Sequence, residues 1–332
     1  MHSILKEKQL FTPFELHQQF EDYLVLQDQT GDPKELYEPM QYILSLGGKR
    51  LRPVLLLMAA NLFSDTIGNA MGPSVGLEMF HNFTLIHDDI MDEAPLRRGH
   101  QTVHEKFGLN TALLSGDIMF VKAGTYMFLD DMQISIEMQK VFSQMAIAVC
   151  EGQQMDMNFE TRLEVSLADY LRMIELKTAA LFGCCMKIGA LSVGADKRDS
   201  REIEQFGYNL GMAFQLMDDL LDSFGSPDKF GKKVGGDIIQ NKKTYLLLKS
   251  LEKADSQLLN RLKFWLSTTE DSQEKIEEVV GIYEKLEVKT ETQQEMLRYH
   301  EAALANLENL EVEDFRRRPL QEFSSKLLLR QL

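Results

Sequence analysis

Carboxylates are costly to place at the end of an apolar helix, and this chain places three of them there twice. Residues 87–99 read HDDIMDEAPLRRG and residues 218–222 read DDLLD. Asp88, Asp89 and Asp92 stand at i, i+1 and i+4, and so do Asp218, Asp219 and Asp222. On a helix those positions fall within an arc of roughly 100°. Three carboxylates on one face repel one another unless a cation neutralises them. Mg²⁺ is hard and oxygen-loving, and it commonly brings substrate phosphates with it. Arg97 and Arg98 follow the first triplet, and guanidinium forks suit phosphate oxygens. Acid for metal followed by base for phosphate points to diphosphate chemistry. The bland alternative is a solvated helix face, and the lone pair Asp130-Asp131 reads that way. Repetition separates the triplets from it. Each triplet follows an apolar run, and burying unpaired carboxylates costs several kcal/mol (~3–5).

Glycine and proline are sparse, at 21 and 8 of 332 residues, and 44% of the chain is hydrophobic. That composition predicts a mostly helical chain able to bury a large core. The net charge of −15 argues against nucleic-acid binding, which needs a basic surface. Cys150, Cys184 and Cys185 form neither a disulfide framework nor a zinc spacing, so a reducing, cytoplasmic setting is expected. The polar start MHSILKEKQL does not read as a signal peptide. The stretch from Thr178 to Ala195 reads as a buried helix rather than a membrane span, so no stable membrane insertion is expected.

Residues 1–46 read as helical, with Phe14, Leu16, Phe20, Tyr23 and Leu24 at helical spacing and a turn at Asp32-Pro33. GGKRLRP, Gly47 to Pro53, offers two glycines that admit close backbone approach, with Lys49, Arg50 and Arg52 as positive charge. It is either an anion site or an ordinary helix-entry loop; an apolar helix from Val54 to Phe63 follows. Gly68 to Gly76 reads as a break, and Leu77 to Asp92 as the helix carrying the first triplet, ended by Glu93-Ala94-Pro95. His100 and His104 lie four apart, and without a third suitable ligand they read as structural. Leu109 to Phe128 reads as a core helix. Phe142 to Phe159 reads as another, in which Gln154 and Asp156 face either a polar cavity or solvent. Lys177-Thr178 precedes an apolar run, where a lysine often only snorkels. The loop after Asp222, with GKKVGGD at 231–237, reads as a lid rather than a phosphate-binding P-loop. Leu246 to Leu332 reads as amphipathic helix, with Arg316-Arg317-Arg318 a solvated cluster.

Taken in order, GGKRLRP, HDDIMDEAPLRRG, Lys177-Thr178, Phe214-Gln215, DDLLD and GKKVGGDI resemble the trans-isoprenyl diphosphate synthases, the polyprenyl synthetase family. The resemblance implies an all-α isoprenoid synthase-type helical bundle around a deep central cavity, with residues 1–332 forming a single domain. It implies Mg²⁺-dependent, head-to-tail condensation of isopentenyl diphosphate with an allylic diphosphate, three Mg²⁺ ions and a homodimer. Asp88, Asp92 and Asp218 would ligate Mg²⁺ directly, with Asp89, Asp219, Asp222 and Asp237 completing the metal site by supporting those ligands or through water. Arg97, Lys177, Lys232 and Lys242 would hold the allylic diphosphate. Lys49, Arg52, His81 and Arg98 would hold isopentenyl diphosphate. Thr178, Phe214 and Gln215 would border the reacting carbons. The chain departs from the family pattern at Gln101, where proline is common, at Leu181, where some members have tyrosine, and at its C-terminal ArgGlnLeu.

Product length is implied by the residues before the first triplet. Phe83 lies five before Asp88, Thr84 is small, Phe80 is one turn further, and no two residues are inserted in the triplet. These resemble synthases of C15 or C20 products, with C20 favoured. A uniform helical wheel puts Phe83 roughly 170° from the mean aspartate direction, so the tunnel floor is either Phe83 or Thr84 with Leu85. Two other readings are compatible with the first triplet. A class I terpene cyclase would need a different second metal motif, and an inactive partner subunit would have lost triplet or basic residues.

Overall fold

A computed structural model describes residues 10–162, 164–225, 235–268 and 272–329. The expected lid residues 226–234, with Lys232, lie outside the described residues. The described chain is helical almost throughout, and its strands are a two-residue antiparallel pair, β1 (Leu96–Arg97) with β2 (His100–Gln101). Among the described residues no helix is long and apolar enough to cross a membrane. The all-α fold class expected from composition is therefore present. The chain divides into two compact units.

The first unit comprises Met1–Gln144, Cys184–Glu204 and Glu311–Pro319. Its helices include α1 (Pro13–Val25), α2 (Lys34–Ser45), α3 (Leu51–Phe63), α4 (Gly68–Met91), α5 (Val103–Phe107) and α6 (Leu109–Thr125). Thr12 and Glu15 close a capping box at the start of α1, whose Leu16, Phe20 and Leu24 face the core, while Phe14 is exposed. Residues 26–33 separate α1 from α2, and the expected turn at Asp32-Pro33 lies in that connection, directly before α2. The third helix, α3, starts at Leu51, three residues earlier than expected, because Pro53 in a first turn costs no hydrogen bond. It is buried on nearly all sides.

Two expectations about α4 and α6 need correction. Gly68 to Gly76 is not a break but the first third of α4. Gly76 serves a close crossing instead: a β-carbon there would stand 2.8 Å from the Ala123 carbonyl oxygen of α6. Nor is α6 wholly core, since Leu109, Leu114, Val121 and Phe128 around it are exposed. The Arg316–Arg318 cluster is not simply solvated either. Arg316 donates to the carbonyls of Asn61 (3.1 Å) and Leu62 (3.4 Å) and pairs with Asp65, closing the end of α3. Arg318 alone of the three is exposed. Asp130 and Asp131 are exposed, as read, and Asp131 caps the helix that begins at Met132.

The second unit comprises Met145–Gly183, Gln205–Leu310 and Leu320–Leu332. It contains the later part of α7 (Met132–Thr161), α8 (Leu167–Ile174), a π-helical turn at Glu175–Ala179, and the later part of α10 (Lys197–Phe224), which follows α9 (Ala180–Ser192). Ser166 and Asp169 form a capping box that starts α8. Gly211 of α10 lets the backbone of Ala179 approach, and Phe182 packs on Phe214 with centroids 5.3 Å apart. Helices at Tyr245–Lys253, Ser256–Ser267, Gln273–Lys285 and Val288–Glu308 complete the packing.

Within the first unit, Gly189 lies where its β-carbon would meet the Leu56 carbonyl oxygen at 2.2 Å. Gly189→Val is expected to cost about 1–3 kcal/mol of stability, read as a lowered urea midpoint; an unchanged midpoint would mean that α3 yields easily.

Candidate active site

The first triplet ends α4. Asp92 is its exposed C-cap, and Asp88 is half-buried. Asp89 is turned inward, 1% exposed, and the Arg97 guanidinium clasps it through Nε (2.7 and 2.8 Å) and Nη2 (2.7 Å). A charge-assisted fork of this kind is what a buried carboxylate requires. Arg97 is presented by β1. The β1–β2 turn sets Arg98 and Gly99 at φ +54° and +78°, as tight two-residue hairpins demand.

That turn carries the Arg98 guanidinium onto the Gly47 carbonyl. The face of Gly48 is open to it: a β-carbon there would stand 3.0 Å from the guanidinium carbon. Thus both glycines of GGKRLRP contact Arg98. In the same loop Arg50 behaves unlike its neighbours. It is buried, at φ +45°, and donates to Glu21 (2.7 Å), Glu78 (2.7 Å) and the Leu44 carbonyl (2.8 Å). Asn82 holds Glu78 in turn, at 3.0 Å. Lys49 is exposed and Arg52 half-buried. His81 lies within this basic group. Burial holds its imidazole well below the usual histidine range, and the charges of Arg52, Arg98, Arg97 and Arg50 deepen the effect. Burial also pulls the Arg98 guanidinium down, against a partial offset from Glu78. A neutral imidazole beside crowded guanidinium groups suits an anion.

The chain-length candidates form part of an aromatic cluster. Phe80 is fully buried and Phe83 nearly so. Phe83 stacks on Phe120 of α6 at 5.2 Å and meets His87 edge-on at 4.7 Å. Phe80 touches Phe83, Phe120 and Phe142. Thr84 is half-buried, its hydroxyl donating to the His81 carbonyl at 2.8 Å. His100 is exposed, and His104 lies 3.6 Å from Glu105.

In the second unit the same division recurs. Asp218 and Asp222 are half-buried, whereas Asp219 is 3% exposed. Asp219 accepts from the Tyr170 hydroxyl, the Gln215 amide (3.1 Å) and the Tyr245 N–H (3.4 Å). Burial, followed by the Asp237 charge, pushes its carboxyl up to about 8. Asp222 accepts from the Asp237 N–H at 2.9 Å, and its carbonyl accepts from Gly235 at 2.7 Å. Lys242 is exposed, with Nζ 3.7 Å from Asp237 Oδ1.

Lys177 sits in the π-helical turn, a feature frequent at functional sites. Gly152 of α7 leaves room for the Lys177 backbone; a β-carbon there would stand 2.4 Å from its nitrogen. The ammonium pairs with Asp156 at 2.5 Å, so this lysine does not merely snorkel. Asp156 and Gln154, undecided in the sequence, part company: Gln154 is exposed and bonds Asn158. The Thr178 hydroxyl donates to Gln215 Oε1 at 2.9 Å, linking it through Gln215 to Asp219. Sequence reasoning missed Glu78 and Tyr170. Neither carries a local signal, because each partner is distant in the chain.

His81 is expected to titrate well below about 6.5, the ordinary histidine value, in an NMR pH titration of its ring. Arg52→Gln should move that midpoint upward. A normal midpoint in the unaltered protein would show that His81 is more open to water than the geometry indicates.

The match to known proteins is extensive. The polyprenyl synthetase family profile matches residues 33–283. A geranylgeranyl diphosphate synthase of Sulfolobus acidocaldarius is 42% identical over 229 residues, 67% of this chain and 69% of that one. A crystal structure of a geranylgeranyl pyrophosphate synthase superposes with a TM-score of 0.92 at 43% identity, over 97% of this chain and 100% of the other. A geranylgeranyl pyrophosphate synthase of Corynebacterium glutamicum, complexed with isoprenyl diphosphate and magnesium, superposes at 0.83 with 25% identity, over 96% and 98% of the two chains. With the two aspartate triplets and the basic loops in place, this chain belongs to the polyprenyl synthetase family.

Proposed function

We propose that this protein is an Mg²⁺-dependent trans-prenyltransferase. It condenses isopentenyl diphosphate head-to-tail with an allylic diphosphate and releases diphosphate, giving a short all-trans C15–C20 prenyl diphosphate, with C20 favoured. The observation that carries the reading is the shared division of labour in the triplets: Asp89 and Asp219 are anchored inward, while Asp88, Asp92 and Asp218 keep contact with solvent. Among the described residues no three His, Cys, Asp or Glu side chains form a metal cage of their own. The donor chemistry suits Mg²⁺, which takes one or two carboxylates and completes its shell with water and phosphate oxygens. Asp88, Asp92 and Asp218 are the proposed ligands; Asp89, Asp219, Asp222 and Asp237 support them, and three ions are expected with substrate bound.

Bound Mg²⁺ supplies neutralising charge to the leaving diphosphate. Arg97, Lys177 and Lys242 bind the allylic diphosphate and stabilise the charge that develops as its C–O bond breaks. Lys49, Arg52, His81 and Arg98 hold isopentenyl diphosphate so that its double bond attacks the allylic carbon. Thr178 and Gln215, tied to each other, border the reacting carbons. The departing diphosphate takes the proton released as the new double bond forms, so no side-chain base is needed.

Residues 1–332 act as a single catalytic domain, because the matched family stretch draws on both compact units. The chain works as a homodimer, for which the exposed apolar side chains Leu109, Leu114, Val121, Phe128 and Met132 offer a surface. It resides in the cytoplasm, in keeping with three thiols outside any disulfide.

Purified protein with labelled isopentenyl diphosphate, C5, C10 or C15 allylic primers and Mg²⁺ tests the reading by product mass. Chain-extended diphosphates are expected. EDTA should abolish turnover, and Asp88→Asn or Asp218→Asn should lower kcat/KM by about 100-fold or more. Cyclic hydrocarbons would mark a terpene cyclase, and no turnover an inactive subunit. Phe83→Ala should lengthen the product; an unchanged product would put the tunnel floor at Thr84 and Leu85.

A further inference from the structure

Lys275 is a lysine almost without exposure, 1%, and it lies outside the triplets, the basic loops and the family motifs. It stands in the first turn of the helix Gln273–Lys285. Its ammonium donates to the Asn241 side chain at 2.8 Å, the Thr268 carbonyl at 3.2 Å and the Ile239 carbonyl at 3.3 Å. Two of these three acceptors belong to the short segment between Asp237 and Lys242. Withdrawing an ammonium from water costs several kcal/mol (~3–5) unless acceptors surround it. A leucine or methionine would fill the same space without that cost, so the charge is retained for what it grips.

The segment it grips turns back on itself. Asn241 has φ +54°, a left-handed conformation that asparagine tolerates better than most residues. The reversal lets the Lys242 N–H donate to the Asp237 carbonyl at 2.9 Å and brings the Lys242 ammonium to 3.7 Å from the Asp237 carboxylate. Asp237 in turn donates its N–H to Asp222 of the second triplet. The helix of Lys275 supports the segment at a second point. Ile276 packs against Gly235, where a β-carbon would meet it at 2.7 Å.

We propose that Lys275 is a positioning residue for the allylic-diphosphate side of the site, clamping the 239–241 turn so that Asp237 and Lys242 hold their places beside the second triplet. The proposal rests on the prenyltransferase reading and adds to it a residue that touches no substrate. Its action passes through the turn, so it falls on one substrate rather than on both.

The test is steady-state kinetics of the full-length Lys275→Met variant with Mg²⁺, varying each substrate in turn. KM for the allylic diphosphate and the Mg²⁺ concentration for half-maximal rate are expected to rise about tenfold or more, with KM for isopentenyl diphosphate within about twofold. Asn241→Gly, which keeps the left-handed backbone and removes only the acceptor, should shift the same two quantities in the same direction by a smaller factor; it carries the test if Lys275→Met does not fold. Equal changes in both KM values, or a loss of active enzyme with both unchanged, would overturn the proposal and leave Lys275 a purely structural residue. Failure of the unaltered protein to extend any primer would instead sink the reading on which the proposal stands.

Discussion

A carboxylate withdrawn from water must be given donors, and the middle aspartate of each triplet has them. Asp89 has the fork of Arg97; Asp219 has Tyr170, Gln215 and the Tyr245 backbone. Breaking such a buried arrangement by removing one partner typically costs about 3–5 kcal/mol. Anchoring at the second position also sets the rotation of the helix end. With Asp89 held inward, Asp88 and Asp92 lie about 100° and about 60° from it, both to the same side of the helical wheel. The motif spacing therefore divides its members into one that secures the helix and two that meet solvent.

The basic loop shows the same economy of roles. Arg50 accepts a left-handed backbone, which costs of order 1–3 kcal/mol. Charge-assisted bonds to Glu21 and Glu78 offset that strain. Its guanidinium is committed to structure, whereas Lys49 and Arg52 keep contact with solvent. Three basic residues within four positions thus do different work, and the difference lies in acidic partners supplied by α1 and α4.

What the sequence made legible was what is written locally. Apolar periodicity located most helices, and the spacing of the triplets marked the ends of α4 and α10 as special. What stayed hidden depended on partners remote in the chain. Nothing near Arg50 announces Glu78, and nothing near Asp219 announces Tyr170. Gly68 to Gly76 misled for a related reason: glycine usually punctuates, but Gly76 admits the backbone of α6, and only the fold reveals that use. Arg316 looked like surface charge because its acceptors, the last carbonyls of α3, lie some 250 residues earlier. The fate of Gln154 and Asp156 was undecidable without knowing that Lys177 would stand opposite one of them.

The π-helical turn at Glu175–Ala179 holds one residue more than an α-helical turn would use. Lys177 and Thr178 therefore occupy a phase that a regular helix through the same residues would not give them. Removing a single residue upstream of Lys177 would restore ordinary winding at little cost to the backbone. The helices on either side would keep nearly the same phase, and what would change is the placement of Lys177 and Thr178 within the turn. The position of these two side chains thus depends on the length of the segment, a dependence that side-chain chemistry alone does not reveal.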